Sequence, residues 1–315
     1  MTRDSVLIIG SGMMGCGIAS RSALAGHKTT ILGRDRSRVM ACIEKAKRCI
    51  DELEANDLAT SEAASKAREL ISPSVDLEEA CKDAQYVIEA IVEDLEIKQD
   101  LFQELDALLP SEVTILTTTS GLRITDIAAK MEHPERALTA HFWFPGHLVP
   151  LVEIVVGDRS DPARAEEVKE LLLTWGKAPV IVHRDIPGQL VGLVQQAMIR
   201  EAVHIVEMGL CSAEDIDTAI KMGFGVRLPV WGPLEHVDGV GLDLCQKVQD
   251  SVLPSVSSAQ TAAKSFAEKI EAGELGAKSG KGFYDWSKKD MSALAERRNR
   301  FIIEVLQFHK RNATE

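Results

Sequence analysis

The fold can be inferred from the sequence SVLIIGSGMMG at positions 5–15. A short apolar run at residues 6–9 leads directly into three glycines with G-x-G-x-x-G spacing, Gly10, Gly12 and Gly15, and then into a helical pattern. A strand, a tight glycine turn and a helix in this order predict a βα unit of the doubly wound type. The helix start would offer free N–H groups to the phosphates of a dinucleotide.

Each glycine in this loop has an expected task. Gly10 permits the tight turn, Gly12 lets a pyrophosphate approach the backbone, and Gly15 lets the helix pack closely on the strand. Met13 and Met14 complete the predicted cofactor loop. The alternative is a glycine turn with a purely structural role.

The residues after the second predicted strand indicate which dinucleotide is preferred. NAD enzymes usually carry Asp or Glu there, which accepts from the ribose 2′-hydroxyl. In this chain Gly33 occupies the position, and Arg34 and Arg36 follow, with Ser37 beside them. Without a carboxylate to repel it, a 2′-phosphate could be clamped by the two arginines. The sequence predicts NADP; in the alternative, Asp35 serves the ribose of NAD.

Short apolar runs alternate with helical patterns in the first half of the chain, which predicts a mostly parallel sheet with helices on both faces. The predicted strands are residues 6–9, 29–32, 86–91, 114–118, 137–141, 151–156 and 178–182, and the first two helices are residues 15–25 and 37–53. Later residues are mostly helical, and Ser212 and Asp215 form a capping box. We expect a Rossmann-type α/β domain at residues 1–185 and an all-helical domain at residues 186–315.

Composition excludes several classes of protein. The net charge of −12 argues against a nucleic-acid partner, which would need a basic face. The six cysteines show neither a C-x-x-C pair nor zinc-site spacing, so no metal is predicted and a reducing compartment is expected. No apolar stretch approaches membrane-spanning length and no signal peptide is evident, so we expect a cytoplasmic protein without a membrane partner.

A histidine and a glutamate are the candidate catalytic pair. Glu153 lies within the apolar run at residues 151–156, where a carboxylate is costly unless it has a partner. His141 ends the preceding strand, so the two can meet across adjacent strands, and such a pair suits a general base. A buried structural ion pair is the alternative. His147, in the loop between them, is expected to be solvated and without a carboxylate partner.

The residues around this pair carry a family resemblance. AHFWFP at 140–145 and LVPLVE at 148–153 resemble the catalytic segment of the L-3-hydroxyacyl-CoA dehydrogenase superfamily. YVIEAIVEDLEIK at 86–98, TTSGL at 118–122 and KSGKGFY at 278–284 resemble further segments of it, in the same order. The similarity extends over nearly the whole chain.

This resemblance implies an activity and a set of roles. The reaction would be reversible hydride transfer between NAD(P) and the 3-hydroxyl or 3-oxo group of a small hydroxy acid or acyl derivative. His141 would exchange the hydroxyl proton, Glu153 would orient it, and Ser120 would bind the substrate oxygen. Glu93 and Lys98 would contact the nicotinamide half of the cofactor. The resemblance also implies a homodimer.

Two departures from the family pattern concern the substrate oxygen. The family has Asn where this chain has Phe144, and again where it has Gly192. A missing donor at a developing oxyanion costs roughly 10²–10³ in rate. Gln189, Gln195 and Gln196 are the candidate replacements, and we include Gln189 among the substrate residues.

A third departure concerns CoA. Residues 50–58 are short and acidic where CoA-dependent members have a longer basic helical pair, and acidic residues disfavour the phosphates of CoA. The chain is more similar to the branch with lambda-crystallin, gulonate dehydrogenase, carnitine dehydrogenase and diketoreductases. Arg227, in RLPVWGPLE at 227–235, is a candidate clamp for a substrate carboxylate or else a surface arginine. A true L-3-hydroxyacyl-CoA dehydrogenase and a catalytically weak, cofactor-binding crystallin-like protein remain alternatives.

Overall fold

The structure is a computed structural model that describes residues 5–312. The described residues cluster into two compact units, one of residues 5–190 together with 299–312 and one of residues 191–298. The division lies five residues after the boundary inferred between residues 185 and 186. The last residues of the final helix belong to the first unit, which nothing in the sequence indicated.

The first unit contains one eight-stranded sheet. Its strands are β1 (Ser5–Ile9), β2 (Lys28–Leu32), β3 (Ile71–Ser74), β4 (Tyr86–Glu89), β5 (Thr114–Thr117), β6 (Ala137–Phe142), β7 (Leu151–Val155) and β8 (Ala178–Val182), in the order β3-β2-β1-β4-β5-β6-β7-β8. All neighbours are parallel except β6 and β7. The predicted Rossmann-type sheet is confirmed. Strand β3 was not predicted from the sequence, because it has only four residues and one of them is Pro73, which weakens a strand pattern.

Helices cover both faces of this sheet. In the first unit they are α1 (Met13–Leu24), α2 (Arg36–Ala55), α3 (Ser61–Glu69), α4 (Leu77–Cys81), α5 (Leu95–Leu108), α6 (Ile124–Ile127) and α7 (Pro162–Thr174). The side chains of β1 alternate between the faces: Val6 and Ile8 pack in the core that α1 and α2 cover, and Leu7 and Ile9 in the core that α5 covers. Because both faces are buried, the strands appear in the sequence as continuous apolar runs.

The second unit is helical, as expected. It contains α8 (Val191–Glu207), α9 (Ala213–Ile220), α10 (Pro233–Val240), α11 (Leu242–Val252), α12 (Lys264–Glu271) and the start of α13 (Met291–Asn312). The predicted capping box is present, with Ser212 and Asp215 satisfying each other's backbone N–H at the start of α9. Among the described helices, none is both long and apolar enough to cross a membrane.

The loop between β6 and β7 is held against α1. Gly17 allows this approach, since a Cβ on it would lie 3.0 Å from the backbone N of His147 and 3.1 Å from Cα of Gly146. Arg21 Nε donates to the carbonyl of His147 at 2.6 Å. This contact ties the loop after His141 to the helix that follows the glycine motif.

The expectation for His147 was wrong. The side chain is buried, and its Nε2 lies 2.7 Å from Oε2 of Glu52. Burial lowers the pKa of His147, although the Glu52 carboxylate acts in the opposite direction. The partner comes from α2, 95 residues earlier, so no local pattern could reveal it.

Candidate active site

The glycine loop lies where β1 ends at the carboxyl edge of the sheet, the edge at which doubly wound proteins bind their ligands. Gly10 has φ +127°, and a Cβ there would lie 2.3 Å from the carbonyl oxygen of Ala90. A Cβ on Gly15 would lie 2.2 Å from the carbonyl oxygen of Gly10. A Cβ on Gly12, by contrast, would meet nothing within 4 Å. Two glycines are thus required by packing, and the third faces open space.

This open space fits the pyrophosphate of a dinucleotide. The start of α1 has no side-chain cap at Gly12 and no acidic residue in its first turn, so its N–H groups and positive dipole end are available to an anion. Met13 is 69% exposed beside the loop, and Met14 packs toward Gly146. The residues present therefore match the predicted cofactor loop.

Glycine at position 33 is also favoured by packing. A Cβ there would lie 2.8 Å from Cγ2 of Val39 and 3.2 Å from Oγ of Ser11. Arg34 and Arg36, which follow it, are both exposed. The end of β2 therefore presents two cations and no carboxylate from position 33.

The side chain of Asp35 has a structural role. It caps α2 by accepting from the backbone N–H of Ser37 at 2.7 Å and of Arg38 at 3.1 Å. The Ser37 hydroxyl donates to the same oxygen at 2.6 Å, and this bond is the main reason why the pKa of Asp35 is lowered. For Ser37 to donate to a 2′-phosphate, its hydroxyl would have to leave Asp35.

The predicted histidine–glutamate pair is present. His141 and Glu153 lie directly opposite each other in the antiparallel register of β6 and β7, with His141 Nδ1 2.7 Å from Oε2 of Glu153. Trp143 Nε1 donates to the same oxygen at 2.9 Å, and the backbone N–H of Leu190 donates to Oε1 at 2.9 Å. Glu153 is completely buried, so these donors compensate its desolvation.

A continuous chain of hydrogen bonds runs from this carboxylate to the surface. Since an ionised carboxylate can only accept, the proton of the neutral His141 ring lies on Nδ1 and Nε2 becomes an acceptor. Oγ of the exposed Ser120, in the turn after β5, lies 3.2 Å from Nε2 and donates to it. Such an arrangement can take a proton from a hydroxyl group placed beside Ser120.

Comparison with known proteins agrees with this geometry. Residues 5–186 match the family model described as 3-hydroxyacyl-CoA dehydrogenase, NAD binding domain, and residues 190–286 match the model for its C-terminal domain. The chain belongs to the 3-hydroxyacyl-CoA dehydrogenase family. Its first unit therefore contains the NAD-binding domain of that family, and the prediction of an oxidoreductase acting on a hydroxyl group is confirmed.

Relatives with different substrates match the chain over most of its length. It is 31% identical over 310 residues to 5-formyl-3-hydroxy-2-methylpyridine 4-carboxylate 5-dehydrogenase of Mesorhizobium japonicum, covering 96% of each protein. It is 32% identical over 282 residues to 3-hydroxybutyryl-CoA dehydrogenase of Clostridioides difficile, covering 89% of this chain and 99% of that protein.

Solved structures show the same range of substrates. A crystal structure of the pyridine-carboxylate dehydrogenase, described as an NAD⁺-dependent dismutase, has a TM-score of 0.89 at 29% identity and covers 98% of this chain and 99% of its own. A diketoreductase structure has a TM-score of 0.71 at 26% identity, covering 90% and 99%. Family membership therefore does not by itself select a substrate.

Glu93 holds the turn that carries the serine. The hydroxyl of Thr119 and the backbone N–H groups of Ser120 and Gly121, the latter two at 3.1 Å, all donate to Glu93 Oε1. Burial alone would raise the pKa of Glu93. The hydrogen bonds and the nearby Lys98 have the larger effect together, so the pKa lies below its usual value. Glu93 thus fixes the position of Ser120, and its predicted cofactor contact stays a prediction.

Lys98, the second residue predicted to contact the cofactor, belongs to a buried ion-pair network. Its Nζ lies 2.6 Å from Oε1 of Glu89 and 3.5 Å from Oε2 of Glu93. Thr117 Oγ1 and the N–H of Ile91 donate to Glu89 at 2.7 Å each. The sequence analysis did not single out Glu89, although it is also a carboxylate within an apolar run, the signal that identified Glu153. The cofactor contact of Lys98 stays a prediction.

Gln189 differs from the other candidate replacements for the missing amides. It is 1% exposed, has φ +55°, and neither its amide nitrogen nor its amide oxygen has a hydrogen-bond partner among the described residues. Gln195 and Gln196 are exposed on α8, and a Cβ on Gly192 would meet nothing within 4 Å. Because buried amides are normally satisfied, Gln189 is the candidate whose environment calls for a ligand or water.

Two other candidate residues are accessible. Phe144, which replaces the family's Asn three residues after His141, is 50% exposed. Arg227 is exposed in the second unit, with its guanidinium 5.8 Å from the ring centroid of Trp231. The cation–π contact with Trp231 restrains the Arg227 side chain.

The buried network makes a prediction for stability. Lys98→Met would leave the buried Glu89 carboxylate without its cation and should lower the free energy of unfolding by about 3–5 kcal/mol. Adding Glu89→Gln removes the unpaired charge but keeps an acceptor for Thr117, so the double variant should be more stable than Lys98→Met alone. Urea denaturation of the three proteins measures both effects.

The matched control is Lys82→Met, which removes an exposed partner of Glu79 and should change stability by less than about 1 kcal/mol. Two results would contradict the electrostatic interpretation of the network. One is a loss of unfolding free energy in Lys98→Met no larger than that in Lys82→Met. The other is a double variant less stable than Lys98→Met alone.

Proposed function

We propose that the protein catalyses hydride transfer between a nicotinamide dinucleotide and the hydroxyl-bearing carbon of a small hydroxy acid or acyl derivative, with His141 as general acid and base. The observation that carries the proposal is the buried His141–Glu153 pair, whose free ring nitrogen faces the Ser120 hydroxyl at the carboxyl edge of the sheet.

The proton transfers follow from this geometry. When bound, the nicotinamide supplies the hydride acceptor or donor. His141 Nε2 takes the proton of the substrate hydroxyl during oxidation and returns it during reduction. The Glu153 carboxylate keeps Nε2 unprotonated in the neutral ring and stabilises the imidazolium once it forms. Ser120 Oγ, 3.2 Å from Nε2, orients the substrate oxygen, and the unpartnered Gln189 amide is our candidate second donor to it.

We further propose a small carboxylate substrate rather than a CoA thioester. The end of α2 and its neighbours are acidic: Asp51 and Glu54 pair with Arg68, and Glu52 pairs with His147. Such a surface disfavours the phosphates of CoA. Arg227 would clamp the substrate carboxylate.

A second candidate is an aromatic carboxylate with a hydroxymethyl or formyl group. The half-exposed ring of Phe144 favours it, because a phenyl ring three residues beyond His141 offers stacking where the family has an amide. The Mesorhizobium relative, which this chain matches almost end to end, is named for a pyridine carboxylate.

The test is a substrate panel assayed with both NAD and NADP. It contains a 3-hydroxy acid, its CoA thioester, a sugar acid and a hydroxymethyl pyridine carboxylate. We expect turnover of a free carboxylate, and we expect His141→Asn to reduce kcat by about 10²–10⁴ while dinucleotide affinity is kept. His133→Asn, at an exposed histidine, is the matched control.

Each other outcome has a defined meaning. Turnover of the CoA thioester alone would overturn the substrate proposal and support a true L-3-hydroxyacyl-CoA dehydrogenase. Turnover that survives His141→Asn would overturn the mechanism. Tight dinucleotide binding without any turnover would favour the catalytically weak, crystallin-like alternative.

For the cofactor we propose a preference for NADP over NAD. Three features support it: Gly33 supplies no carboxylate, Arg34 and Arg36 are exposed beside it, and Asp35 is engaged as the cap of α2. The family model is that of an NAD-binding domain, so NAD is the alternative.

Fluorescence titrations with NADPH and NADH decide between them. Loss of a charge-assisted contact costs about 1.5–3 kcal/mol, so Arg34→Ala and Arg36→Ala should each weaken NADPH binding by roughly 10-fold or more and leave NADH binding unchanged. Arg48→Ala, an exposed arginine later on α2, is the control. Tighter binding of NADH by the unmodified protein would overturn the preference.

We also propose that the protein is a homodimer through its second unit. Among residues 191–298, all of which the structure describes, Val203 alone is buried, whereas Met222, Leu234 and Leu242 are largely exposed. A unit of this size needs more buried surface, and a self-complementary contact with a second copy supplies it. Light scattering should give twice the chain mass, and Leu234→Glu should shift it toward the monomer. A monomer at micromolar concentration contradicts the proposal.

A cytoplasmic location is proposed as well. All six cysteines are free thiols in the structure, as expected in a reducing compartment.

A further inference from the structure

Ser11, the second residue of the glycine loop, lies against the end of β2. The backbone N–H of Gly10 donates to the carbonyl oxygen of Leu32 at 2.9 Å, which holds the loop beside the end of this strand. A Cβ on Gly33 would lie 3.2 Å from Oγ of Ser11 and 3.5 Å from its Cβ. The Ser11 hydroxyl therefore lies beside the place where a side chain at position 33 would begin.

That place has a defined meaning in doubly wound dinucleotide-binding proteins. The acidic residue at the end of the second strand accepts from the 2′-hydroxyl of the adenosine ribose, so its side chain marks where the 2′ group of the bound dinucleotide lies. In this chain Gly33 supplies no side chain, and Ser11 places a hydroxyl beside the same space. A hydroxyl can donate to a phosphate oxygen, whereas a carboxylate repels a phosphate.

Ser11 differs from two serines nearby, Ser37 in the first turn of α2 and Ser74 opposite Leu32 on β3. The Ser37 hydroxyl donates to Asp35 at 2.6 Å, and the Ser74 hydroxyl donates to a backbone carbonyl two residues later at 2.9 Å. Ser11 is half-buried, and its hydroxyl has no hydrogen-bond partner among the residues that the structure describes. Of the three, only Ser11 can donate to a ligand without first breaking a bond within the protein.

The charges at the end of β2 favour an anion beside this hydroxyl. Arg34 directly follows Gly33, Arg36 comes two residues later, and both arginines are exposed. The carboxylate between them, on Asp35, is already used as the cap of α2. A phosphate at the 2′ position would therefore have a neutral donor from the glycine loop and cations from the residues after the strand.

We propose that Ser11 is a specificity-determining residue whose hydroxyl donates to the 2′-phosphate of NADP. The inference rests on the proposed preference for NADP, and it assigns to Ser11 the part that the sequence analysis expected of Ser37. The contact lies on the adenosine half of the dinucleotide, so it is the same for the oxidised and the reduced cofactor and does not involve the His141–Glu153 pair.

Fluorescence titrations of Ser11→Ala with NADPH and NADH test the contact without any turnover. A hydrogen bond to a charged group contributes more than one between neutral groups, so the variant should lower the ratio of NADPH affinity to NADH affinity roughly 5-fold or more. The matched control is Ser74→Ala, which removes a hydroxyl that is bonded within the protein and should leave the ratio unchanged.

A second pair of ligands isolates the phosphate itself. Adenosine 2′,5′-bisphosphate carries a 2′-phosphate, and 5′-AMP differs from it only in lacking this group. Each is used to displace the reduced dinucleotide from the full-length protein. Ser11→Ala should weaken binding of the bisphosphate by a larger factor than binding of 5′-AMP, and retained binding of 5′-AMP shows that the variant is folded.

The result for Ser11 can be separated from the preference of the unmodified protein. If NADH binds more tightly but Ser11→Ala still lowers the affinity ratio, the proposed preference is wrong and the Ser11 contact stands. If Ser11→Ala weakens both dinucleotides equally, or neither, the inference is overturned whichever dinucleotide is preferred. An equal change of the ratio in Ser74→Ala would overturn it as well.

Discussion

A single buried charge, the carboxylate of Glu153, constrains this structure more than any other group. A carboxylate removed from water must be paired and hydrogen-bonded, and here the donors come from two separate segments: His141 and Trp143 at the end of β6, and the backbone of Leu190. Each segment must therefore be correctly placed before the charge is tolerated. The same bonds determine which nitrogen of His141 is left as an acceptor facing Ser120, so the stability of the fold and the tautomer of the ring depend on one set of contacts.

The antiparallel turn between β6 and β7 is what makes this pairing possible. In an otherwise parallel sheet, the reversal brings His141 and Glu153 opposite each other after only twelve residues. The loop between β6 and β7 is held in place by α1 through contacts of Gly17 and Arg21. The helix that begins at the glycine loop thus also supports the loop between His141 and Glu153. A second buried carboxylate, Glu89, shares Lys98 with Glu93, and Glu93 accepts from the backbone of Ser120. Carboxylates therefore position both His141 and Ser120.

The sequence predicted the features that arise from local patterns. The glycine spacing after an apolar run identified the dinucleotide unit, and a lone carboxylate in an apolar strand identified Glu153 and its partner. Prediction from the sequence failed where a feature depends on a contact between residues that are far apart in the chain. The burial of His147 depends on Glu52 from α2, and the grouping of the last residues with the first unit depends on the packing of Ile303 against Leu53 and Leu148. The edge strand β3 was not predicted for a different reason: four residues that include Pro73 are too few to show an apolar strand pattern.

The central claim is that Glu153 holds the proton of the neutral His141 ring on Nδ1 and leaves Nε2 as the acceptor. Nitrogen NMR of protein labelled at histidine measures this directly, with His141→Asn to assign the signal. The account predicts a protonated Nδ1 in a strong hydrogen bond, an unprotonated Nε2, and a changed signal in Glu153→Gln. A ring protonated on Nε2 in the unmodified protein, or a signal indifferent to Glu153→Gln, would contradict it.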